Sequence, residues 1–331
     1  MNTPDFLHAV AADLFGRYGE GVSELNIVFP SRRARLFFTD ALVRQINRPL
    51  WQPVYLGMED LVKKISPLKQ IDDYSLLVDL YKLYTKHKES TETFDHFYFW
   101  GEILLNDFDT IDKYMVNAEM LFKNLAAQKT LEGDFSFLSD EQIGYVQSFW
   151  SSFDPKGQSN LQQQFVEVWA TLLPIYNDFK NLLASRSEAY EGMIYRDAVQ
   201  RIKSGETSGF GNSKYVFVGF NALNECERRI LNYLLTAKQA DFYWDYDEYY
   251  MHDAMQEAGY FLRRNIQQFP PPELFDLPSH FKDPKNINIV SVPSDVLQAK
   301  IVPTLLESIA APLNRQTAIV LADENLLLPV L

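Results

Sequence analysis

The chain has 331 residues, 47% of them apolar, and its 31 basic and 44 acidic side chains leave a net charge of −13. That apolar share excludes a disordered polypeptide and supports two domains or one domain with an insertion, while the acidic balance excludes a protein whose whole surface attracts nucleic-acid phosphate. The lone Cys226 excludes a disulfide framework and fits a reducing compartment, the cytoplasm by default, and no apolar run reaches membrane-spanning length or forms a signal peptide.

Phe6, Val10, Leu14 and Phe15 share one face of a predicted amphipathic helix. Residues 25–29 then read as a buried strand, 31–45 as a helix, 53–56 as a second strand and 59–65 as a further helix. Between the first strand and its helix, Pro30-Ser31-Arg32-Arg33-Ala34-Arg35 places a capping serine before a basic first turn. The free N–H groups of that turn form an anion site beside Arg32, Arg33 and Arg35. Arginines at a helix N-terminus oppose the macrodipole, which favours an anionic partner such as phosphate. The competing reading is a solvated basic face.

Residues 72–202 contain no convincing strand. Apolar side chains recur there at helical spacing, as in Leu76, Leu77, Leu80, Leu83 and Tyr84, and again in Phe165, Val168, Trp169, Leu172, Leu173 and Tyr176. The stretch reads as an all-helical insertion that stands off the sheet, with breaks at 129–137, 151–160 and 204–213. Its acidic, aromatic segment 94–112 reads as packed core with a solvated edge. The glycine-rich GETSGFGNSK at 205–214 precedes a strand instead of following one, so it reads as a flexible connector and not a phosphate-binding loop.

A second strand–helix–strand unit spans 215–220, 224–237 and 241–244. In nucleotide-driven motors an Asp follows such a strand and helps to hold magnesium; here Gly219 stands in that place with Asn221 just beyond, and no GxxxxGK[ST] occurs. Asp241, Asp245, Asp247 and Glu248, interleaved with tyrosines, read as an inner strand emerging into a polar loop. His8, His87, His96, His252 and His280 show no zinc spacing, and Cys226 reads as packing. No catalytic residue, metal or cofactor is therefore expected. Prolines between 270 and 284 mark a linker, after which 287–292, 295–309 (with a kink or break at Pro303) and 317–321 read as a third unit. The expected organisation is an α/β composite domain of residues 1–70 with 205–270, a helical insertion over 71–204, a linker over 271–285 and an incomplete second domain over 286–331. Because the third unit lacks a sheet to complete it, the chain is expected to be the N-terminal part of a longer polypeptide.

Five segments carry a family resemblance: IVFPSRRARLFF at 27–38, FYFWGEILLNDFDTIDKY at 97–114, YVFVGFNALNECERRIL at 215–231, DFYWDYDEYY at 241–250 and TAIVLADENLLLPVL at 317–331. In order and spacing they resemble the N-terminal part of AddB/RexB-type subunits of bacterial helicase–nuclease complexes, PD-(D/E)XK nuclease family proteins with a degenerate superfamily 1 helicase region. The resemblance implies a RecA-like (P-loop NTPase-like) parallel sheet, a large helical insertion and the start of a second RecA-like domain. It gives Ser31, Arg32, Arg33 and Arg35 a role on single-stranded DNA and makes Gly219 and Asn221 degenerate Walker B positions. The implied function is an inactivated helicase-like module that binds or guides DNA weakly and locally, without ATP hydrolysis, beside a partner subunit in double-strand break repair. The alternative is a scaffold that docks a partner motor and never touches DNA. The family's nuclease domain and iron–sulfur cysteines lie far downstream of the matching segments, so this chain is expected to be non-catalytic.

Overall fold

The computed structural model describes residues 5–88, 93–126, 159–253, 255–273, 275, 279–309, 313–314 and 317–331, with the backbone alone for 123–126 and 159–170. The break expected at 129–137, most of that at 151–160, and the side chains of Phe165, Val168 and Trp169 lie outside the described residues.

After helix α1 (Phe6–Tyr18), the strand β1 (Asn26–Val28) leads into α2 (Arg32–Val43), β2 (Val54–Leu56) and α3 (Met58–Lys63). Much later come β5 (Tyr215–Val218), the helix Glu225–Thr236 and β6 (Ala240–Tyr243). These four strands form one parallel sheet in the order β2-β1-β5-β6, with Ile27 opposite both Tyr55 and Val216. β1 and β5 occupy the middle and are buried along their whole length, which explains why they are apolar except for the buried Asn26: helices cover both faces of a parallel sheet. Side chains alternate between the two faces. Ile27, Phe29, Val216, Val218 and Tyr243 pack with Val10, Leu14, Phe38 and Leu42 of α1 and α2 on one side. Val28, Tyr215, Phe217 and Phe242 meet Cys226, Ile230, Leu231 and Leu234 on the other.

The insertion comprises α4 (Asp73–Lys88), α5 (Phe94–Lys113), α6 (Ala118–Ala126), α7 (Ser159–Ser185) and α8 (Glu191–Lys203); the helix after β5 is accordingly α9 (Glu225–Thr236). It differs from expectation in two ways. A short parallel ladder joins β3 (Lys69–Gln70) to β4 (Glu188–Ala189), so the ends of the insertion are stitched together by backbone hydrogen bonds. The insertion also does not stand off. Leu77, Phe97, Phe108, Phe179 and Tyr190 belong to the same buried cluster as Phe217 and Phe242, because α8 lies against both α5 and α9 and carries the core from one to the other. Residues 1–281 form a single unit.

A fully buried carboxylate holds this helical layer. Asp112 of α5 accepts from Tyr176 Oη (2.5 Å) and Lys180 Nζ (2.8 Å) of α7 and from Tyr190 Oη (2.5 Å). Arg196 Nε of α8 lies 2.6 Å away in an ion contact outside hydrogen-bonding geometry, while its Nη2 donates to the carbonyls of Ile111 and Val116. A buried charge persists only when paired in this manner.

The segment 205–214 is not a slack connector. Phe210 is buried against Tyr215 and Tyr233, and Gly209 sits so close to the Lys64 carbonyl that any side chain there would collide with it. Beyond β6 come α10 (Glu248–His252) and α11 (Tyr260–Gln268), and Phe275 of the proline-rich stretch packs edge-on against Tyr243.

Residues 282–331 form a second unit with α12 (Asp295–Glu307), which runs through Pro303 without a break, and α13 (Leu327–Val330). The strands expected at 287–292 and 317–321 are not formed among the described residues. Ile289 is 92% and Val320 88% exposed; an apolar parallel strand needs a hydrogen-bonded neighbour and covering helices, and the described residues of this unit supply no neighbouring strand.

A candidate anion-binding cleft at the carboxyl edge of the sheet

The chain leaves β1 toward β2 on one side and, when it returns at β5, leaves toward β6 on the other. Connections thus diverge between β1 and β5, and in open parallel sheets the crevice outside the carboxyl ends at such a point is where ligands bind. A cavity of about 390 Å³ lies there. It is walled by the residues that follow β1 (Phe29, Pro30, Ser31), β2 (Gly57) and β5 (Phe220, Ala222).

Ser31 is extended (φ −140°, ψ 149°) and caps α2, its Oγ accepting from Ala34 N at 3.4 Å. The first turn therefore presents unpaired N–H groups toward the cleft, flanked by Arg32 and Arg35. Arg32, Arg33 and Arg35 are exposed, and none forms an ion pair among the described residues. The structure divides them. Arg32 and Arg35 line the cavity, whereas Arg33 lies over the ring of Phe37, 5.8 Å from its centre, and does not.

The far wall is acidic. Glu59 pairs with Lys63, Asp60 Oδ2 accepts from Gly57 N (2.9 Å), and Glu191 Oε2 accepts from Lys113 Nζ (2.7 Å). Glu227, like Asp60, has a single backbone donor, its Oε2 accepting from Asn224 N (2.9 Å), and no cation among the described residues lies within ion-pair distance; it differs from Asp60 in being half-buried where Asp60 is exposed. Burial pushes its carboxyl up to about 7, against the lowering influence of Asn224 and the more distant Lys113. Tyr195 is buried beside Glu227 and Glu191, and burial raises its phenol far above the ordinary range.

Gly219 and Asn221 do not join this cleft. Gly219 adopts φ +74°, its N–H donating to the Tyr243 carbonyl (2.9 Å), and a Cβ would touch Phe6. The Asn221 carbonyl accepts from Asn265 Nδ2 (2.5 Å), and the residue lines a separate cavity with Asp245, Asp247 and His280. The acidic run after β6 is likewise dispersed. Asp241 binds Arg17, Tyr18 and Lys214, and Asp247 accepts from Tyr249 N, Ser279 Oγ, His280 N and Phe281 N, which hold its carboxyl well below the usual range. Among the described residues no group of three or more His, Cys, Asp or Glu side chains could hold a metal ion. Cys226 is fully buried, which pushes its thiol up to about 12.

The sequence reading missed Glu191, Tyr195 and Glu227. Glu227 had a legible signal, since Asn224-x-x-Glu227 is a capping box, but that pattern speaks of the helix and not of the cleft. Glu191 and Tyr195 had none, being 160 or more positions from Ser31 in the chain (191 − 31 = 160).

Compared with protein-family models and with curated proteins, the chain matches none. Among the described residues no helix is long and apolar enough to cross a membrane.

Proposed function

We propose that this chain is an inactivated helicase-like module with a RecA-like sheet, which binds the phosphodiester backbone of single-stranded DNA within a helicase–nuclease assembly of double-strand break repair. One observation carries the reading: Ser31, Arg32 and Arg35 converge on a cleft outside the carboxyl ends of three parallel strands, at the point where the connections diverge. Unpaired guanidinium groups beside free helix N–H groups suit a phosphate. The position of Gly219 supports the absence of ATP hydrolysis, because a left-handed backbone there disfavours the carboxylate that would hold magnesium. The net charge of −13 makes long-range attraction unfavourable, so contact is short-ranged and weak.

The test is a salt titration of single-stranded DNA binding. Arg32→Ala with Arg35→Ala should remove two phosphate contacts and reduce the magnitude of the log–log salt slope by roughly 1.4, with little dependence on base sequence, whereas Arg33→Ala should change it less. An unchanged slope in the double variant overturns the reading. It would favour the second one, a scaffold for a partner subunit, whose supporting observation is the apolar surface around β2: Leu36 is 65%, Trp51 87% and Val54 49% exposed.

A further inference from the structure

We propose that anion binding in this cleft is coupled to uptake of one proton by Glu227, so that the site is open to phosphate when that carboxyl is neutral and resists it when ionised. The proposal deepens the phosphate reading above and rests on it. Its basis is the accounting of charge around one cavity. Of the four acids that line it, Glu59 is paired with Lys63, Glu191 shares Lys113 with Asp109, and Asp60 is held by the Gly57 N–H. Among the described residues Glu227 has no cation within ion-pair distance, and unlike Asp60, which is exposed, it is half-buried in the wall of the cleft.

The groups that face it from each packed element are few. Its own helix offers Arg228 and the Asn224 cap; α8 offers Glu191 and Tyr195; α5 offers Lys113, already shared between Glu191 (2.7 Å) and Asp109 (2.8 Å). Across the cavity stand Glu59 and Asp60 of α3 and Arg32 and Arg35 of α2. An entering phosphodiester brings a fixed negative charge into this space and raises the cost of an ionised Glu227. The neutral carboxyl instead offers an O–H donor to a phosphate oxygen while Oε2 keeps the Asn224 N–H. The helix cap therefore survives in both states, and the burial that already holds this carboxyl near neutrality sets the working range around pH 7.

The experiment uses the full chain and a thymidine 12-mer without terminal phosphates, whose charge is constant between pH 6 and 8, at fixed ionic strength. The parent should bind about fivefold tighter at pH 6 than at pH 8, within the limit of tenfold per pH unit for one proton. Glu227→Gln, which keeps the shape and the cap acceptor, should bind equally at both and match the parent's pH 6 affinity. Calorimetry of the unsubstituted chain in buffers of different ionisation enthalpy should report uptake of roughly 0.4 proton per DNA bound at pH 7, so the idea stands or falls even if the variant misfolds. Equal affinity across pH, absence of proton uptake, or a pH dependence retained in Glu227→Gln overturns proton coupling and leaves the phosphate reading intact. No binding at any pH, or binding that survives Arg32→Ala with Arg35→Ala, overturns the phosphate reading and the coupling with it.

Discussion

At the scale of single residues, two carboxylates withdrawn from solvent, Asp112 fully and Glu227 in part, decide much of this protein's behaviour, and they divide by whether they are paired. Asp112 has four partners and acts as a structural tie; Glu227 has one backbone donor, and burial pushes its carboxyl up to about 7. The pH dependence of stability follows from the second. The folded chain raises the Glu227 carboxyl from an ordinary value near 4.5 to about 7, so it holds a proton that the unfolded chain releases. The associated stability is complete below about 4.5 and is lost as pH rises through 7. Glu227→Gln should therefore be more stable than the parent at pH 8, by on the order of 1–3 kcal/mol, and close to it at pH 4.5. Urea midpoints at the two pH values would check this; equal shifts at both would assign the effect to packing.

Single elements follow local rules closely. Ser31 caps α2, Asn224 and Glu227 form a reciprocal box at α9, and β1 and β5 are, Asn26 apart, apolar because both faces are covered. Ser31→Ala should cost about 1 kcal/mol through loss of the cap, read from denaturant midpoints, and should weaken DNA binding by removing a hydroxyl from the cleft wall. The turn after β5 is set by backbone geometry in the same way. At Gly219 the φ of +74° makes any substitution strained, so Gly219→Asp should destabilise by about 1–2 kcal/mol and confer no magnesium-dependent ATP turnover. A thermal melt and a phosphate-release assay test both halves of that statement.

At the scale of the whole molecule, residues 1–281 behave as one unit because the insertion and the sheet share a core. Phe179 of α7 is fully buried, stacks on Tyr190 at 5.9 Å between ring centres, and lies in the cluster that reaches Phe217. Phe179→Ala should cost roughly 3–5 kcal/mol and lower the hydrogen-exchange protection of β5 amides together with those of α5. Protection lost in α5 alone would mean that the insertion folds independently.

The sequence by itself determined what depends on near neighbours: the strands of the first two units to within two residues, the helices between them, the cap at Ser31, the missing phosphate-binding loop and the interruption of the sheet by a helical insertion. Its alternation also placed β1 and β5 together in one parallel sheet, since both strands are too apolar to lie at an edge. It misjudged elements whose state depends on distant partners. Residues 287–292 and 317–321 have strand composition but no pairing strand among the described residues of their unit, and composition cannot supply one. The insertion was expected to stand away because helical spacing reveals which face is apolar and not what that face meets. The cleft shows the same limit. Ser31, Arg32 and Arg35 were legible as a local pattern, but Arg33 was separated from them only by the direction of its side chain, and Gly219 and Asn221 by a left-handed turn. Glu191, Tyr195 and Glu227 entered only when the chain folded, because burial and the distance to a cation are properties of three-dimensional position, which local sequence does not encode.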